Sequence, residues 1–186
     1  MDHAGHTDHT EHIEHTGHIS IREGGADDIP AILGLFDGAV AWLVSRGRTG
    51  QWGTKPWSTN PNAVAMVEKY VTTGAPWIAE IDGTVAGTLT LTDAPGSYVA
   101  PAQEPERYVH LLASDRRFAG RGVGAALLAH AVAETRRQGV RLLRVDCYAG
   151  DDRALVAYYE RNGFTATEAF TGPDGRWPGQ ILARHL

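Results

Sequence analysis

The chain has 186 residues, 42% of them apolar and 21% charged, with 22 Gly, 9 Pro, one Cys and a net charge of −5. That length fits a single domain, the apolar content excludes wholesale disorder, and a lone cysteine excludes an internal disulfide framework and fits a reducing, cytoplasmic setting. No apolar run nears the roughly 20 residues of a membrane helix, and the N-terminus lacks the basic-then-apolar pattern of a signal peptide, so no membrane partner is expected.

Residues 1–18 form a His-rich tail. His3, His6, His9, His12, His15 and His18 recur at every third position among Asp, Thr, Glu, Gly and Ala, with no apolar face to specify a helix or strand. In a polyproline-II segment, with about three residues per turn, these imidazoles would line one edge. Clustered His with interspersed carboxylates can hold Zn, Ni or Cu. A solvated tail with incidental metal affinity is the alternative, and both readings stand. The tail holds Asp2, Asp8, Glu11 and Glu14 but no Lys or Arg, so the rest of the chain carries 18 acids against 17 bases. That near-neutral body has ten arginines between Arg107 and Arg161. It lacks the broad positive excess of a nucleic-acid binder and fits a small anionic ligand better.

Residues 19–186 read as one domain of mixed strands and helices. His18 to Arg22 alternates as a short strand. Asp27 to Arg46 carries Ile29, Ile32, Leu33, Phe36, Val40, Leu43 and Val44 at helical spacing, with Ala26-Asp27-Asp28 as a start signal. Gly47 to Pro61 is a loop containing Trp52, Pro56 and Trp57, and Asn62 to Thr73 is a second helix that stops at Gly74. Trp77 to Ile81 and Val85 to Leu91 are strands joined at Asp82-Gly83, a strong hairpin signal. A loop from Pro95 to Pro105 leads into an apolar strand, Tyr108 to Ala113.

The stretch after that strand carries the most information. Ala119-Gly120-Arg121-Gly122-Val123-Gly124 runs straight into a helical pattern of Val123, Leu127, Leu128, Ala131 and Val132, which Gly139 ends before a strand at Arg141 to Cys147. Glycines between a strand and a helix N-terminus leave backbone N–H groups bare at the positive end of the helix dipole, an arrangement suited to a pyrophosphate. No Gly-Lys-Ser/Thr follows, so this is not a nucleotide P-loop, and the Gly-x-Gly-x-Gly spacing is not a dinucleotide fingerprint.

The segment Leu111 to Leu128 resembles the cofactor-binding segment of the Gcn5-related N-acetyltransferase (GNAT) family. A second block, Asp152-Arg153-Ala154-Leu155-Val156-Ala157-Tyr158-Tyr159-Glu160-Arg161-Asn162-Gly163-Phe164, is similar to that family's last helix. The resemblance implies an α/β (α+β) fold. Its central sheet would be mixed, mostly antiparallel and twisted, flanked by about four helices, with a splayed strand pair holding the cofactor. It implies transfer of an acetyl group from acetyl-CoA to a primary amine of a small molecule, antibiotic or peptide N-terminus, by direct transfer. A homodimer would be ordinary for such a protein.

The family pattern Gln/Arg-x-x-Gly-x-Gly/Ala falls on Ala119, Gly122 and Gly124, and Ala119 departs from it. By the resemblance, Ala119, Gly120, Arg121, Gly122, Val123 and Gly124 hold the pyrophosphate, and Leu112, Ala113 and Ser114 pair with the pantetheine arm. Arg117 or Arg121 adds charge there. Tyr159 matches the family tyrosine, a general acid for the departing thiolate. Asp152 stands where relatives carry a cofactor-contacting Asn, although an Asp there also suits a helix cap.

The base is open. His110 lies where relatives carry one, with an ordinary pKa near 6.5, and period-two alternation puts Tyr108 and Leu112 on its face. Glu104 and Glu106 are alternatives from the adjacent loop. Cys147 reads as a buried small hydrophobe rather than a nucleophile. Trp42, Trp52 and Trp57 are either core anchors or aromatic walls for the acceptor.

Overall fold

The computed structural model describes residues 17–150 and 152–186. Seven strands form one sheet in the order β1-β2-β3-β4-β5-β7-β6, with β1 at Ile19–Glu23, β2 at Ala75–Ile81, β3 at Thr84–Thr92, β4 at Glu106–Ser114, β5 at Leu142–Tyr148, β6 at Thr165–Thr171 and β7 at Pro178–His185. Every neighbouring pair is antiparallel except β4 and β5. Four helices flank it: α1 Ile29–Ser45, α2 Pro61–Thr73, α3 Val123–Arg137 and α4 Ala154–Arg161. The β2–β3 hairpin turns at Asp82 and Gly83, with φ of 51° and 74°, the paired left-handed conformation that a two-residue turn of this kind requires.

Two apolar clusters build the core. One joins Leu127 and Leu128 of α3 and Val156 of α4 to Leu89, Val109 and Leu143 of the sheet. The other joins Ile32 and Phe36 of α1 and Val67 of α2 to Ile78, Leu111 and Ala113. Each fully buried Leu or Ile contributes about 1.5–3 kcal/mol, so the clusters fix which helix covers which face. Gly87 on β3 sets the seating of α3, because a Cβ there would stand 2.7 Å from Val123 Cγ1 and 3.0 Å from the Ala113 carbonyl oxygen. The start of α3 can therefore lie directly against the sheet beside the end of β4.

The expectation about apolar runs needs correcting. Ala26–Ser45 spans 20 residues and contains an 18-residue window of mean hydropathy 1.4, enough to cross a membrane by length and composition. Its Ile, Leu, Val and Ala residues keep the hydropathy high despite three aspartates. In the structure Ile32, Leu33, Leu35, Phe36, Val40 and Leu43 of this helix are buried within the domain.

Candidate active site

The parallel ladder between β4 and β5 stops at Val109↔Val145, although β4 runs on to Ser114 and β5 to Tyr148. The two strands part there, which is the splayed pair expected. A cavity of about 760 Å³ occupies the gap, bounded by the end of β4, the start of α3, one side of α4 and the α1–α2 loop.

At one end the wall is backbone. Gly120 and Gly122 take φ of 81° and 79°, a region open to Gly at little cost. The turn uses the Ala119 amide on Arg116 O and the Arg121 amide on Phe118 O. The amides of Gly120, Gly122, Val123, Gly124 and Ala125 have no acceptor among the described residues. All five residues line the cavity, at the N-terminus of a 15-residue helix. Unpaired donors at the positive end of a helix dipole suit an anion.

The charged side chains around this turn are placed differently from expectation. Arg116 lines the cavity, its guanidinium 4.0 Å from the Trp42 ring centroid. Arg117 instead pairs with Asp115 at 2.7 Å, and the Arg121 guanidinium donates to Gly17 O at 3.0 Å. Neither Arg117 nor Arg121 lines the cavity. Asp152 likewise stands outside it, accepting from the Ala154 amide at 3.0 Å and from Arg48 at 2.8 Å. Its carboxylate, one residue before the N-cap Arg153, holds the first amide of α4 and ties the α1–α2 loop to that helix, which leaves it poorly placed for a cofactor. Tyr158 and Tyr159 both reach the cavity. Gly124 is small because a Cβ there would run into the Tyr158 hydroxyl.

The middle of the cavity is shaped by a bulge. Thr88 pairs with Ala113 and Thr90 with His110, so Leu89 faces two residues, Leu111 and Leu112. Leu111 takes φ 51°, a left-handed conformation that costs a leucine energy. The extra residue reverses the phase of the strand. Leu111 and Ala113 belong to the α1–α2 cluster, whereas Leu112 packs against the α3–α4 cluster. His110 and Leu112 therefore do not share a face as simple alternation predicted.

His110 is buried and stacks on Tyr70, centroids 4.0 Å apart and planes 18° apart. Its Nε2 lies 3.4 Å from Ala94 O. Burial pushes its pKa down to about 4, so the imidazole is neutral at pH 7 and a weaker base than its ordinary value implies. Tyr159 is buried and lines the cavity. Burial, with Cys147 and Asp146 nearby, holds its phenol well above 10 and therefore protonated. Cys147 is a buried thiol pushed up to about 12, which leaves almost no thiolate at neutral pH.

Sequence reading missed Asp146. It sits one residue past the last β4–β5 pair and lines the cavity. Its Oδ1 accepts from Tyr108 Oη at 2.8 Å and from Tyr98 Oη at 3.3 Å. Desolvation raises its pKa, and the two phenol hydrogen bonds partly offset that rise. The available signal was an acid in a strand whose other residues, Arg144 apart, are apolar (Leu142-Leu143-Arg144-Val145-Asp146-Cys147), because an acid drawn away from water seldom lacks a use. Glu106, by contrast, is committed to structure: it pairs with Arg144 at 3.0 Å and accepts from the Ala102 amide at 2.8 Å. Glu104 is exposed and does not line the cavity.

The other walls are aromatic. Phe36 stacks on Trp57 at 4.2 Å, and Trp52 meets both edge-on at 5.3 Å and 5.5 Å. Of the tail histidines only His18 falls within the described residues; His3, His6, His9, His12 and His15 lie outside them. Among the described residues no three His, Cys, Asp or Glu side chains are grouped as a metal site would need.

The model of the acetyltransferase (GNAT) family matches residues 40–164. A relative from Bacillus subtilis (strain 168), the uncharacterized N-acetyltransferase YesJ, is 31% identical over 144 residues, covering 74% of this chain and 77% of its own. Solved structures share the fold. A GNAT-family acetyltransferase from Listeria monocytogenes 4b F2365 superposes with a TM-score of 0.67 at 20% identity, covering 90% of this chain and 95% of that one. The Salmonella typhimurium protein yncA, determined with its cofactor acetyl-CoA, gives 0.62 at 20% identity, covering 90% and 94%. With the split between β4 and β5 and the bare amides at the start of α3 already in place, these matches make the chain a member of the GNAT acetyltransferase family.

Proposed function

We propose that this protein transfers the acetyl group of acetyl-CoA directly to the nitrogen of a primary amine in this cavity. One observation carries the reading: five unpaired amides, a protonated Tyr159 and a carboxylate, Asp146, line a single cavity where β4 and β5 part. The amides of Gly120, Gly122, Val123, Gly124 and Ala125 would hold the pyrophosphate. The backbone of Leu112, Ala113 and Ser114 lies beyond the last β4–β5 pair, available to the pantetheine arm. When bound, acetyl-CoA supplies the electrophilic thioester carbonyl.

The protein's side chains then handle protons. Asp146 attracts the acceptor ammonium and takes one proton from it, leaving the lone pair that attacks. Its raised pKa makes it a better acceptor than an exposed carboxylate, and Tyr108 and Tyr98 hold it in place. As the C–N bond forms and the C–S bond breaks, Tyr159 donates its phenolic proton to the departing sulfur. It recovers a proton from the nitrogen, directly or through water. Neutral His110 fixes Tyr70 by stacking and is not required to carry charge.

Thermal unfolding with acetyl-CoA, CoA and ATP tests the binding half. A ligand at a hundredfold excess over its Kd stabilises the fold by about 2.7 kcal/mol, so acetyl-CoA and CoA should raise Tm and ATP should not. CoA thiol release with an amine panel tests the chemistry. Binding without thiol release for any amine would reduce the protein to an acyl-CoA-binding module, and no Tm shift at millimolar acetyl-CoA would sink the assignment.

A further inference from the structure

Asp146 is the one carboxylate and Arg116 the one guanidinium among the described residues lining the cavity. Arg116 is stacked on Trp42 beside the bare amides, at the end suited to phosphate. Among the lining residues the acceptor end therefore has one carboxylate and no cation; Lys69, whose ammonium lies 5.7 Å from the Tyr70 ring centroid, is not part of that lining. Around Asp146 stand Tyr98, Tyr108 and Tyr70, the last close enough for the carboxylate charge to raise its pKa. Further out, the stacked Phe36 and Trp57 rings, with Trp52 inclined to them at 66° and 64°, supply an apolar wall.

That chemistry discriminates between acceptors. An ammonium group is satisfied by Asp146 and by the faces of the surrounding rings. A free amino acid brings a carboxylate, which would lie in an aromatic chamber with no cation to meet it, at a large desolvation cost. A polyamine or aminoglycoside brings extra ammonium groups for which the lining has no second acid. A peptide N-terminus brings amides that need partners along a groove.

Building on the acetyl-transfer reading, we infer that the acceptor is a primary monoamine with an aromatic or similarly flat apolar body and no carboxylate. Asp146 anchors its ammonium, and Trp52 and Trp57 bind its ring.

The test uses the full chain with acetyl-CoA, following CoA release. The amines are 2-phenylethylamine, tryptamine, L-phenylalanine, spermidine and an alanine-initiated tetrapeptide. Because L-phenylalanine differs from 2-phenylethylamine only by its carboxylate, kcat/KM should favour 2-phenylethylamine by about 100-fold or more. Trp57→Ala should raise KM for 2-phenylethylamine about tenfold and leave KM for acetyl-CoA unchanged. If that variant does not fold, quenching of tryptophan fluorescence in the unaltered protein by 2-phenylethylamine, but not by L-phenylalanine, makes the same point. A higher kcat/KM for L-phenylalanine, spermidine or the peptide overturns the inference and leaves acetyl transfer standing. So does a Tm shift with acetyl-CoA accompanied by no turnover of either aromatic amine. Absence of the Tm shift instead removes the acetyl-transfer reading itself.

Discussion

The two ends of the cavity are made of different materials. The phosphate end is backbone: the bare amides of Gly120, Gly122, Val123, Gly124 and Ala125, five of the six residues 120–125. The acceptor end is side chain: Asp146 from β5, Tyr98 and Tyr108 from 48 and 38 residues earlier in the chain, and the Trp52–Trp57 wall from the α1–α2 loop. A backbone site needs only a turn that Gly can adopt, so Ala119 can stand in the family's Gln/Arg position without removing a donor. A side-chain site depends on each group arriving from a distant element, and one substitution changes what it accepts.

Substitutions should separate the ends by kinetic signature. Asp146→Asn should lower kcat/KM for amines by about 10²- to 10⁴-fold while acetyl-CoA still raises Tm. Burial disfavours the charged carboxylate, and Asn keeps an oxygen for a tyrosine, so the variant's own Tm at neutral pH should match or exceed that of the unaltered protein. An equal loss of cofactor binding would erase the distinction between the ends. Tyr159→Phe should cut kcat by about 100-fold with both KM values nearly unchanged, as steady-state kinetics would show.

Gly124→Ala should do the reverse. With the Tyr158 hydroxyl displaced, the Kd for acetyl-CoA should rise about tenfold, with KM for the amine unaffected at saturating cofactor. Adding Tyr158→Phe should recover part of that affinity. If the double variant binds no better than the single one, the clash is not the cause.

The smallest effect concerns stability. Burial holds His110 at about 4 in the fold against an ordinary 6.5, so it costs the fold nothing above pH 6.5, where it is neutral in both states, and below that pH only the unfolded chain takes up the proton. Stability therefore falls as pH drops from 6.5 toward 4, by about 3 kcal/mol. His110→Phe should flatten this part of the acid limb in Tm measured between pH 7 and 4.

Legibility in the sequence follows the same division. The strand–Gly-turn–helix unit, the Asp82-Gly83 hairpin and the α4 tyrosines are local patterns, and the structure forms elements where those patterns lie. Asp146 was hidden because its importance comes from the point at which β4 and β5 part, which no local window records. The orientation of Leu112 was misread because a bulge carries no periodic signal of its own. The place of Arg116 has no sequence signal, because its stacking on Trp42 joins residues from two distant elements.

The bulge at Leu111 gives β4 an unusual relation to chain length. Before it, the strand presents His110 to the α2 side; after it, Leu112 turns to the opposite helical layer. Straightening this strand at unchanged length would turn Leu112 and every later side chain over, whereas deleting Leu111 would leave the Thr90–His110 and Thr88–Ala113 pairs in register. In the straightened strand, Ser114 and the turn that follows would meet α3 from the wrong side. The bulge lets one strand face both ways within three residues, with His110 turned to the acceptor side and Leu112 to the helices that carry the cofactor turn.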